Sequence, residues 1–425
     1  MAALKFLLVT IVVVAFAVVN DWPVLDQLVA ALLALIIGAY IWSRTSLRGV
    51  SVERETTTDR TQVGESLNER LEIRNTSRFP KLWLELRDFS TLPEHQVSRV
   101  VHVRGRTAVG WPVATPCLRR GRFRVGPLTL RSGDPFGIFS ARLSIPAAHE
   151  LIVYPATVDV SGYPLPVGQL SGGAVTDRKN PFVTPNVSGL RDYVPGDSLN
   201  RISWTATART GRMMVKEFDL DPTADVWLVL DLQRVWHVRA GPPPLVGSEE
   251  MGLYPVETWL DSTVEYAVTV AASLARRCID QGRNAGMIAS GAHHEVITPD
   301  RSDRQYLKLL ESLAVVHADG EQPLAEVLLA ESGRFNRQAS VIVITASTDE
   351  QWVRALVELA GRRVKTAAIV VEASTFGPAE ASLLIVSRLL GAGVPTHLVK
   401  YGASIGAALA ALPGGANSAE VPVYG

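Results

Sequence analysis

The chain contains 425 residues, with 42 basic and 42 acidic side chains, so its formal net charge is zero. At about 150 residues per domain, this length implies roughly three structural units. The balanced charge excludes a protein that binds nucleic acid by general electrostatic attraction, and an apolar content of 47% excludes a disordered chain. The two cysteines, Cys117 and Cys278, lie far apart without a nearby histidine, so neither a disulfide framework nor a zinc ribbon is expected.

Two apolar segments open the chain. Residues 6–19 and 28–42 contain no charged side chain, and each can be extended to about 18 residues, the length that crosses a bilayer. We therefore predict a transmembrane helical hairpin over residues 1–48, with its turn at residues 20–23. A cleaved signal peptide is the alternative for the first segment, but a second apolar segment follows at once without a small-residue cleavage site.

The charges that flank these segments predict the orientation of the hairpin. Lys5 precedes the first segment, and Arg44 and Arg48 follow the second, whereas the connection carries Asp21 and Asp26. Positive residues favour the cytoplasmic side of a membrane. We therefore expect a multi-pass protein of the cell membrane with both termini and the soluble domains in the cytoplasm, and the lipid bilayer as its first partner.

Residues 51–163 have the pattern of short β-strands. Runs such as LWLEL at residues 82–86 alternate apolar and polar side chains, and Gly, Pro, Asn and Asp separate the runs. This spacing predicts a β-sandwich-like domain. Between Val101 and Arg131 there are seven arginines and no acidic residue. We interpret them as a solvated strand face near an anionic leaflet rather than as a site for an acidic partner.

Strands alternate with helices in the last part of the chain. Residues 164–188 are rich in Gly, Pro, Ser and Thr, which predicts a linker or long loop. Residues 220–412 then predict a doubly wound α/β domain, followed by a tail at 413–425. The predicted strands and helices span residues 226–232, 256–281, 285–289, 303–316, 341–345, 351–362, 366–371, 379–390, 396–399 and 405–412.

A distinctive segment, residues 189–219, lies before the α/β domain. Pro195-Gly196 is typical of a tight turn, and Asp197 can cap the helix that follows. Trp204 provides a large apolar surface, and the arginines of the segment can each clamp a carboxylate. We expect these groups to be buried at a joint between the two soluble domains, and an exposed docking site is the alternative.

This segment resembles the signature of the domain of unknown function 58 family, GxRxYxPGDxxRxIxWxxxAR, with Arg201 one position later than the arginine of that pattern. Residues 119–127 (RRGRFRVGP) and 134–139 (DPFGIF) resemble the family as well, and the resemblance extends over nearly the whole chain. It implies two membrane helices, a β-rich region, the signature and a von Willebrand factor A-like domain. The signature maps onto Arg191, Tyr193, Pro195, Gly196, Asp197, Arg201, Ile202, Trp204, Ala208 and Arg209.

The resemblance also implies a function. The family is associated with MoxR-type AAA+ ATPases and sometimes with transglutaminase-like proteins, and it has no established catalytic activity. A non-enzymatic, membrane-anchored adaptor or assembly factor without a cofactor is therefore expected. Its client would be such an ATPase or an envelope-related protein.

Von Willebrand factor A-like domains often hold Mg²⁺ through a DxSxS motif after the first strand. The corresponding stretch here runs from Asp231 to Val235 and places Gln233 and Val235 where the serines would stand. Val235 has no oxygen to offer a hard cation. Asp349 follows a later strand and could add a second carboxylate at the same sheet edge. We expect a degenerate metal site at Asp231 and Asp349, with weak Mg²⁺ binding left open.

A hydrolase or metal-dependent enzyme, with its site at the strand ends of the α/β domain, is the alternative function. Residues 402–406 form a GxSxG motif between a predicted strand and a helix, but neither Asp nor His follows Ser404, as an α/β-hydrolase requires. His293 and His294 are adjacent, so they point to opposite faces of a strand and have no third ligand nearby. Neither a P-loop nor a GxGxxG motif occurs.

Overall fold

The computed structural model describes residues 2–20, 22–146, 148–166, 187–194, 202–218, 225–241 and 255–413. The helices in these ranges are α1 (Ala2–Val19), α2 (Pro23–Ser46), α3 (Trp204–Thr210), α4 (Thr263–Asp280), α5 (Asp303–Val315), α6 (Leu324–Ala330), α7 (Glu350–Gly361), α8 (Leu383–Gly391) and α9 (Ile405–Ala410). The strands are β1 (Val50–Thr56), β2 (Arg60–Gln62), β3 (Ser66–Asn75), β4 (Lys81–Asp88), β5 (Arg99–Val103), β6 (Thr107–Pro116), β7 (Gly121–Val125), β8 (Leu128–Gly133), β9 (Ser140–Ile145), β10 (His149–Tyr154), β11 (Val187–Asp192), β12 (Met214–Phe218), β13 (Val226–Asp231), β14 (Ala285–Ser290), β15 (His294–Asp300), β16 (Ser340–Thr345), β17 (Lys365–Val371) and β18 (Thr396–Val399).

The N-terminal helices α1 and α2 pack against each other. Within the described residues, α2 is the one helix that is long and apolar enough to cross a membrane, and a shorter apolar stretch runs from Phe6 to Val19 in α1. Pro23 begins α2, where its missing N–H costs no helical hydrogen bond. The C-terminal part of α2 buries Ala39, Ser43 and Ser46, which recur at helical spacing on one face.

The β-rich region contains two sheets that enclose a common core. One sheet has the order β1-β3-β6, and the other has the order β5-β4-β8-β9. Alternate side chains of their strands point inward, as in a sandwich. The core between them includes Leu71, Ile73, Leu84, Leu86, Leu128 and Leu130. A third, smaller sheet with the order β2-β10-β7 adjoins them and has its own apolar cluster.

A buried charged cluster lies inside the β-rich region. Arg54 forms salt bridges with Glu69 and Asp88, and His95 Nε2 lies 2.9 Å from Asp88 Oδ2. At most 3% of any of these side chains is exposed. Burial alone would raise the pKa of Asp88, but hydrogen bonds from His95, Ser90 and Arg54 lower it below its ordinary value.

The α/β domain is built on a six-stranded sheet with the order β15-β14-β13-β16-β17-β18. Every neighbouring pair is parallel except β14 and β15, where β15 is an antiparallel edge strand that the sequence analysis missed. Helices α4, α5 and α9 cover one face, and α6, α7 and α8 cover the other. The predicted doubly wound arrangement of the sheet is therefore present.

The predicted helix over residues 256–281 is divided in two. A short 3₁₀ helix runs from Val256 to Trp259, and α4 begins at Thr263. Ser262 caps α4 because its side chain accepts a hydrogen bond from the Glu265 backbone N–H. The sequence Ser262-Thr-Val-Glu265 is a capping box, the local signal for this boundary.

The joint between the two soluble domains is made by Arg120 and by the chain that follows β10. Only 5% of the Arg120 side chain is exposed, and it forms a salt bridge with Glu265 of α4. Its guanidinium also donates to the carbonyl oxygens of Leu313 (2.8 Å) and Val316 (2.5 Å) at the end of α5. The interpretation of residues 101–131 as a uniformly solvated arginine face is therefore wrong at Arg120.

Residues 154–163 complete this joint. Tyr154, Val160 and Tyr163 are buried in the apolar core that α4, α5 and α9 form on the sheet. The Val158 backbone N–H donates to Ser273 Oγ of α4 at 3.0 Å. The end of the β-rich region thus belongs to the core of the α/β domain.

Candidate functional site

The carboxyl ends of β13 and β16 meet at the point where the strand order of the sheet reverses. From β13 the chain continues to β14 on one side, whereas β16 lies on the other side. In open α/β sheets this position forms the crevice in which ligands bind. Asp231 ends β13 and Thr345 ends β16, so the predicted candidate Asp231 lies at this crevice.

Asp231 is 3% exposed, and both of its carboxylate oxygens accept hydrogen bonds from the protein. Thr345 Oγ1 donates to Oδ2 at 2.6 Å, and the Gln233 backbone N–H donates to Oδ1 at 3.0 Å. Burial raises the pKa of Asp231, although His237 and these hydrogen bonds act in the opposite direction. The carboxylate thus ties the end of β13 to the end of β16.

His237 lies beside Asp231, and both of its ring nitrogens have protein partners. Nε2 is 3.0 Å from the Asp231 carbonyl oxygen, and Nδ1 is 3.0 Å from Thr263 Oγ1. A carbonyl can only accept, so Nε2 carries the proton. Desolvation lowers the pKa of His237, which favours the neutral ring. Sequence reasoning missed this residue because the turn that returns it to Asp231 is not a local pattern.

Asp349, the second carboxylate named in the sequence analysis, lies at the start of α7. It is the N-cap of α7, where Oδ1 accepts a hydrogen bond from the Gln351 backbone N–H at 3.0 Å. The loop before it is held by Ser347, whose N–H donates to Thr345 Oγ1 at 2.8 Å. The described residues contain no group of three or more His, Cys, Asp or Glu side chains that could hold a metal ion.

Glu372 is a second buried carboxylate at the same sheet edge, and sequence reasoning missed it too. It follows β17, is 4% exposed and organises the loop before α8. Its Oε2 accepts from Ser382 Oγ at 2.6 Å, and its Oε1 accepts from Ser374 Oγ at 2.7 Å. Both oxygens are therefore engaged in holding the loop.

Ser404 of the GxSxG motif is the N-cap of α9. Its Oγ accepts a hydrogen bond from the Ala407 backbone N–H at 3.5 Å. No described histidine is hydrogen-bonded to it, whereas a serine nucleophile needs an adjacent base. The motif is explained by the turn from β18 into α9.

The signature segment folds into a small unit of β11, β12 and α3, which we call the signature unit. The strands β11 and β12 are antiparallel, and the Tyr193 backbone N–H extends their pairing to the Met213 carbonyl oxygen at 2.8 Å. Gly211 ends α3 in the left-handed conformation with φ of 70°. Among the side chains of this unit that the structure describes, Ile202 and Val215 are buried, at 4% and 2% exposure.

Several large apolar side chains of the signature unit are exposed. Trp204 is 68% exposed, Val194 is 57%, Leu190 is 47% and Met213 is 42%. None of the residues of α3 is buried. The expectation that Trp204 is buried at a domain joint is therefore wrong, and the reason is that Arg120 and residues 154–163 already form the joint.

The other signature residues are only partly described. Arg209 is exposed in the last turn of α3, and Tyr193 is half-buried. The backbone of Arg191 lies in β11, paired with Val215. Pro195, Gly196, Asp197 and Arg201 lie outside the described residues, as do residues 167–186 of the predicted linker and the tail after residue 413.

Comparisons with known proteins support the resemblance to the domain of unknown function 58 family. The family described as "Protein of unknown function DUF58" matches residues 189–242, which include most of the signature unit and Asp231. The uncharacterized protein YeaD of Bacillus subtilis (strain 168) is 21% identical over 405 residues, covering 93% of this chain and 94% of YeaD.

Solved structures show weaker similarity. The pilus adhesin SpaC of Lactobacillus rhamnosus GG matches with a TM-score of 0.30 and 10% identity, covering 45% of this chain and 29% of SpaC. A FixG-related protein of Vibrio parahaemolyticus matches with a TM-score of 0.18 and 11% identity, covering 25% of this chain and 96% of that protein. Scores this low carry no argument about fold or function.

Proposed function

We propose that this protein is a non-enzymatic, membrane-anchored adaptor that presents its α/β domain and signature unit to a cytoplasmic MoxR-type AAA+ ATPase. The observation that carries the proposal is the exposure of large apolar side chains in the signature unit. The segment that matches the family exposes the side chains of Trp204, Val194 and Leu190 to solvent. Exposed apolar groups of this size mark interaction sites more often than isolated surface residues do.

The anchor in this proposal is the hairpin of α1 and α2. The length and composition of α2 support one span, and the contact between α1 and α2 supports a second. The positive residues Lys5, Arg44 and Arg48 support a cytoplasmic position for both termini and for the soluble domains.

The ATPase partner follows from the family resemblance. We infer that the α/β domain is von Willebrand factor A-like, and its strand order with an antiparallel edge strand supports this reading. The absence of a P-loop fits an ATPase supplied in trans. An envelope-related client or a transglutaminase-like protein is a further partner that the same resemblance implies.

The test is a pull-down of the MoxR-type ATPase with tagged full-length protein from detergent-solubilised membranes. Trp204→Ala should lose most of the ATPase, because a large exposed aromatic side chain is a typical interface anchor. The variant should melt like the wild type, since a substitution at a residue 68% exposed costs at most about 0.5 kcal/mol.

Leu383→Ala is the matched control. Leu383 is 66% exposed on α8, which is not part of the signature unit, and its variant should capture the ATPase normally. Equal capture by Trp204→Ala and the wild type would reject the signature unit as the docking surface.

A hydrolase or metal-dependent enzyme at the crevice is the alternative function, and Asp231 beside His237 is the observation that favours it. Against it, both nitrogens of His237 are occupied by Asp231 and Thr263. The oxygens of Asp231 are occupied as well. A calorimetric titration with Mg²⁺ distinguishes the two functions: a saturable micromolar site that Asp231→Asn removes would support the enzyme, whereas the adaptor predicts binding no tighter than about millimolar.

A further inference from the structure

A cavity of about 520 Å³ lies between the last turns of α2 and the rim of the β-sandwich. On the helix side, Trp42, Thr45 and Ser46 line the cavity, and the remaining lining comes from residues 79–83 and 132–135. The rim is fixed to the helix, because Tyr40 and Phe139 stack edge to face with ring centroids 5.7 Å apart. The cavity therefore lies beside a direct contact between the helix and the sandwich.

Lys81 brings a positive charge into this cavity. The residue is 8% exposed, and its Nζ donates one hydrogen bond to the Thr45 carbonyl oxygen at 2.9 Å. An ammonium has three donors, and within the described part of the chain Lys81 forms no salt bridge. Desolvation lowers the pKa of Lys81 because a buried cation without a counter-ion is unfavourable. The cavity thus contains a cation that lacks an anion.

The carboxylate of Asp134, which lines the same cavity, does not supply that anion. Its oxygens accept hydrogen bonds from the backbone N–H groups of Phe136, Ile138 and Phe139, at 3.0, 3.1 and 2.7 Å. Both carboxylate oxygens of Asp134 are therefore already hydrogen-bonded within their own loop. Within the described residues, no other carboxylate lines the cavity, so an anion bound there would find Lys81 without a competing carboxylate.

Apolar and aromatic side chains surround the cavity. Among the residues that line it, Phe79 is 77% exposed, Trp42 is 44% and Trp83 is 41%. Aromatic side chains of this kind, and tryptophan above all, are favoured at the level of lipid headgroups. An anionic ligand with an apolar part fits both the cation and these walls.

The position of the cavity along α2 matches the headgroup level of a bilayer. A helix of 24 residues is about 36 Å long, whereas the hydrocarbon core is about 30 Å thick. If Pro23 lies at one surface, the last turn of α2 with Thr45 and Ser46 lies among the headgroups of the other. Lys81 is hydrogen-bonded to this turn and therefore lies at the same depth.

We propose that this cavity binds one phospholipid of the leaflet at the C-terminal end of α2. The phosphate accepts hydrogen bonds from Lys81, and an acyl chain lies against Trp42, Trp83 and Phe79. This inference rests on the proposed membrane anchoring by α2. The bound lipid would complete the contact between the anchor and the β-sandwich.

The experiment measures retained lipid by native mass spectrometry of the full-length protein in detergent. The probes are dioleoylphosphatidylglycerol and dioleoylglycerol, which share acyl chains and differ in the phosphate headgroup. The wild type should retain the phospholipid and not the diacylglycerol. Lys81→Gln should lower the affinity for the phospholipid about tenfold, because charged hydrogen bonds are lost.

Two variants keep the test valid if Lys81→Gln destabilises the end of α2. Lys81→Arg retains the cation and should retain the phospholipid, and Trp83→Ala keeps Lys81 but should weaken binding about threefold by removing apolar contact. Lys308→Gln removes an exposed lysine on α5 and should bind like the wild type.

The proposal would be overturned if the wild type bound the phospholipid and the diacylglycerol equally well. It would also be overturned if Lys81→Gln bound the phospholipid as tightly as the wild type. Displacement of the lipid by excess inorganic phosphate would also overturn it, in favour of a free-phosphate site. Carbonate extraction of membranes separates this result from the anchoring: release of the wild type would reject anchoring itself. A protein that stays in the membrane without headgroup selectivity would reject the lipid site alone.

Discussion

Single polar side chains join parts of this protein that are remote in sequence. Asp231 connects the ends of two sheet strands, and Arg120 connects the sandwich to α4 and α5. Lys81 connects the sandwich to the end of α2. In each case the side chain is buried, so the energetic consequence of its removal is larger than for a surface residue.

Replacing Arg120 by alanine should destabilise the joint between the soluble domains by about 3 kcal/mol, because Glu265 and two helix-end carbonyls lose their partner. Thermal unfolding of the full-length protein in detergent, followed by circular dichroism, measures the loss. Arg122→Ala is the control. Arg122 pairs with Glu150 at the surface, where both side chains are more than half exposed, and its loss should be small.

Asp88→Asn should lower the stability at neutral pH, because the buried cluster loses a charge that Arg54 and His95 pair with. The folded-state pKa of Asp88 lies below its unfolded value of about 3.9. The ionised form of Asp88 therefore stabilises the folded protein at pH values above the unfolded-state pKa. This stabilisation is lost as the pH falls through the folded-state pKa.

The difference in melting temperature between Asp88→Asn and wild type should accordingly shrink below about pH 4. Melting curves at several pH values test this expectation. Asp280→Asn, at a residue whose side chain is 55% exposed in a surface pair with Arg276, should show little difference from wild type at any pH. If the melting temperature of Asp88→Asn lay below that of the wild type by the same amount at neutral and acidic pH, the link between the ionisation of Asp88 and stability would be contradicted.

At the scale of elements, close backbone contacts decide how the last helix packs. α9 lies against the segment that completes the domain joint, and a Cβ on Gly406 would lie 2.5 Å from the Asp159 carbonyl oxygen. On the other side of this contact, a Cβ on Gly162 would lie 2.5 Å from Ala410 Cβ. The glycines permit a helix and a loop to approach without intervening side chains.

Gly406→Ala should therefore lower the melting temperature, because either α9 or residues 154–163 must shift to relieve the clash. Gly391→Ala is the matched helical control. No heavy atom lies within 4 Å of a Cβ there, so alanine should be neutral or stabilising by up to about 1 kcal/mol. Equal stability of the two variants would show that the approach of α9 is not tight.

At the scale of the whole molecule, contacts run from α2 through the sandwich to the α/β domain. The orientation of this assembly determines which partners it can meet. The native cysteines cannot report it, because both are buried and burial raises the pKa of the Cys117 thiol to about 11 and that of Cys278 to about 12. Their thiolates are scarce at neutral pH, which gives a low labelling background.

Cysteines introduced at exposed positions should reveal the orientation. Lys308→Cys on α5 should resist a membrane-impermeant maleimide in intact spheroplasts and react after permeabilisation, since the positive flanks predict a cytoplasmic domain. Trp22→Cys lies between α1 and α2 at a residue 68% exposed, and it should react without permeabilisation if both helices span. The opposite pattern would reverse the orientation.

The sequence by itself determined most of the strands and helices of the α/β domain, although it missed β15, α6 and the break before α4. Alternation in the β-rich region and apolar runs in the α/β domain predict strands and helices because their signals lie within a few residues. The strand predicted at 341–345, for example, is found at Ser340–Thr345. Likewise, the uninterrupted apolar composition of residues 28–42 was enough to indicate α2 as a candidate span.

Only the tertiary structure decided which polar groups meet. Arg120 is buried and Arg122 is exposed although they are near neighbours in one arginine-rich stretch, because only Arg120 faces the end of α5. Trp204 is exposed although its type favours burial, because other residues form the joint. Such partners are distant in sequence, and no local pattern records the packing of one element against another.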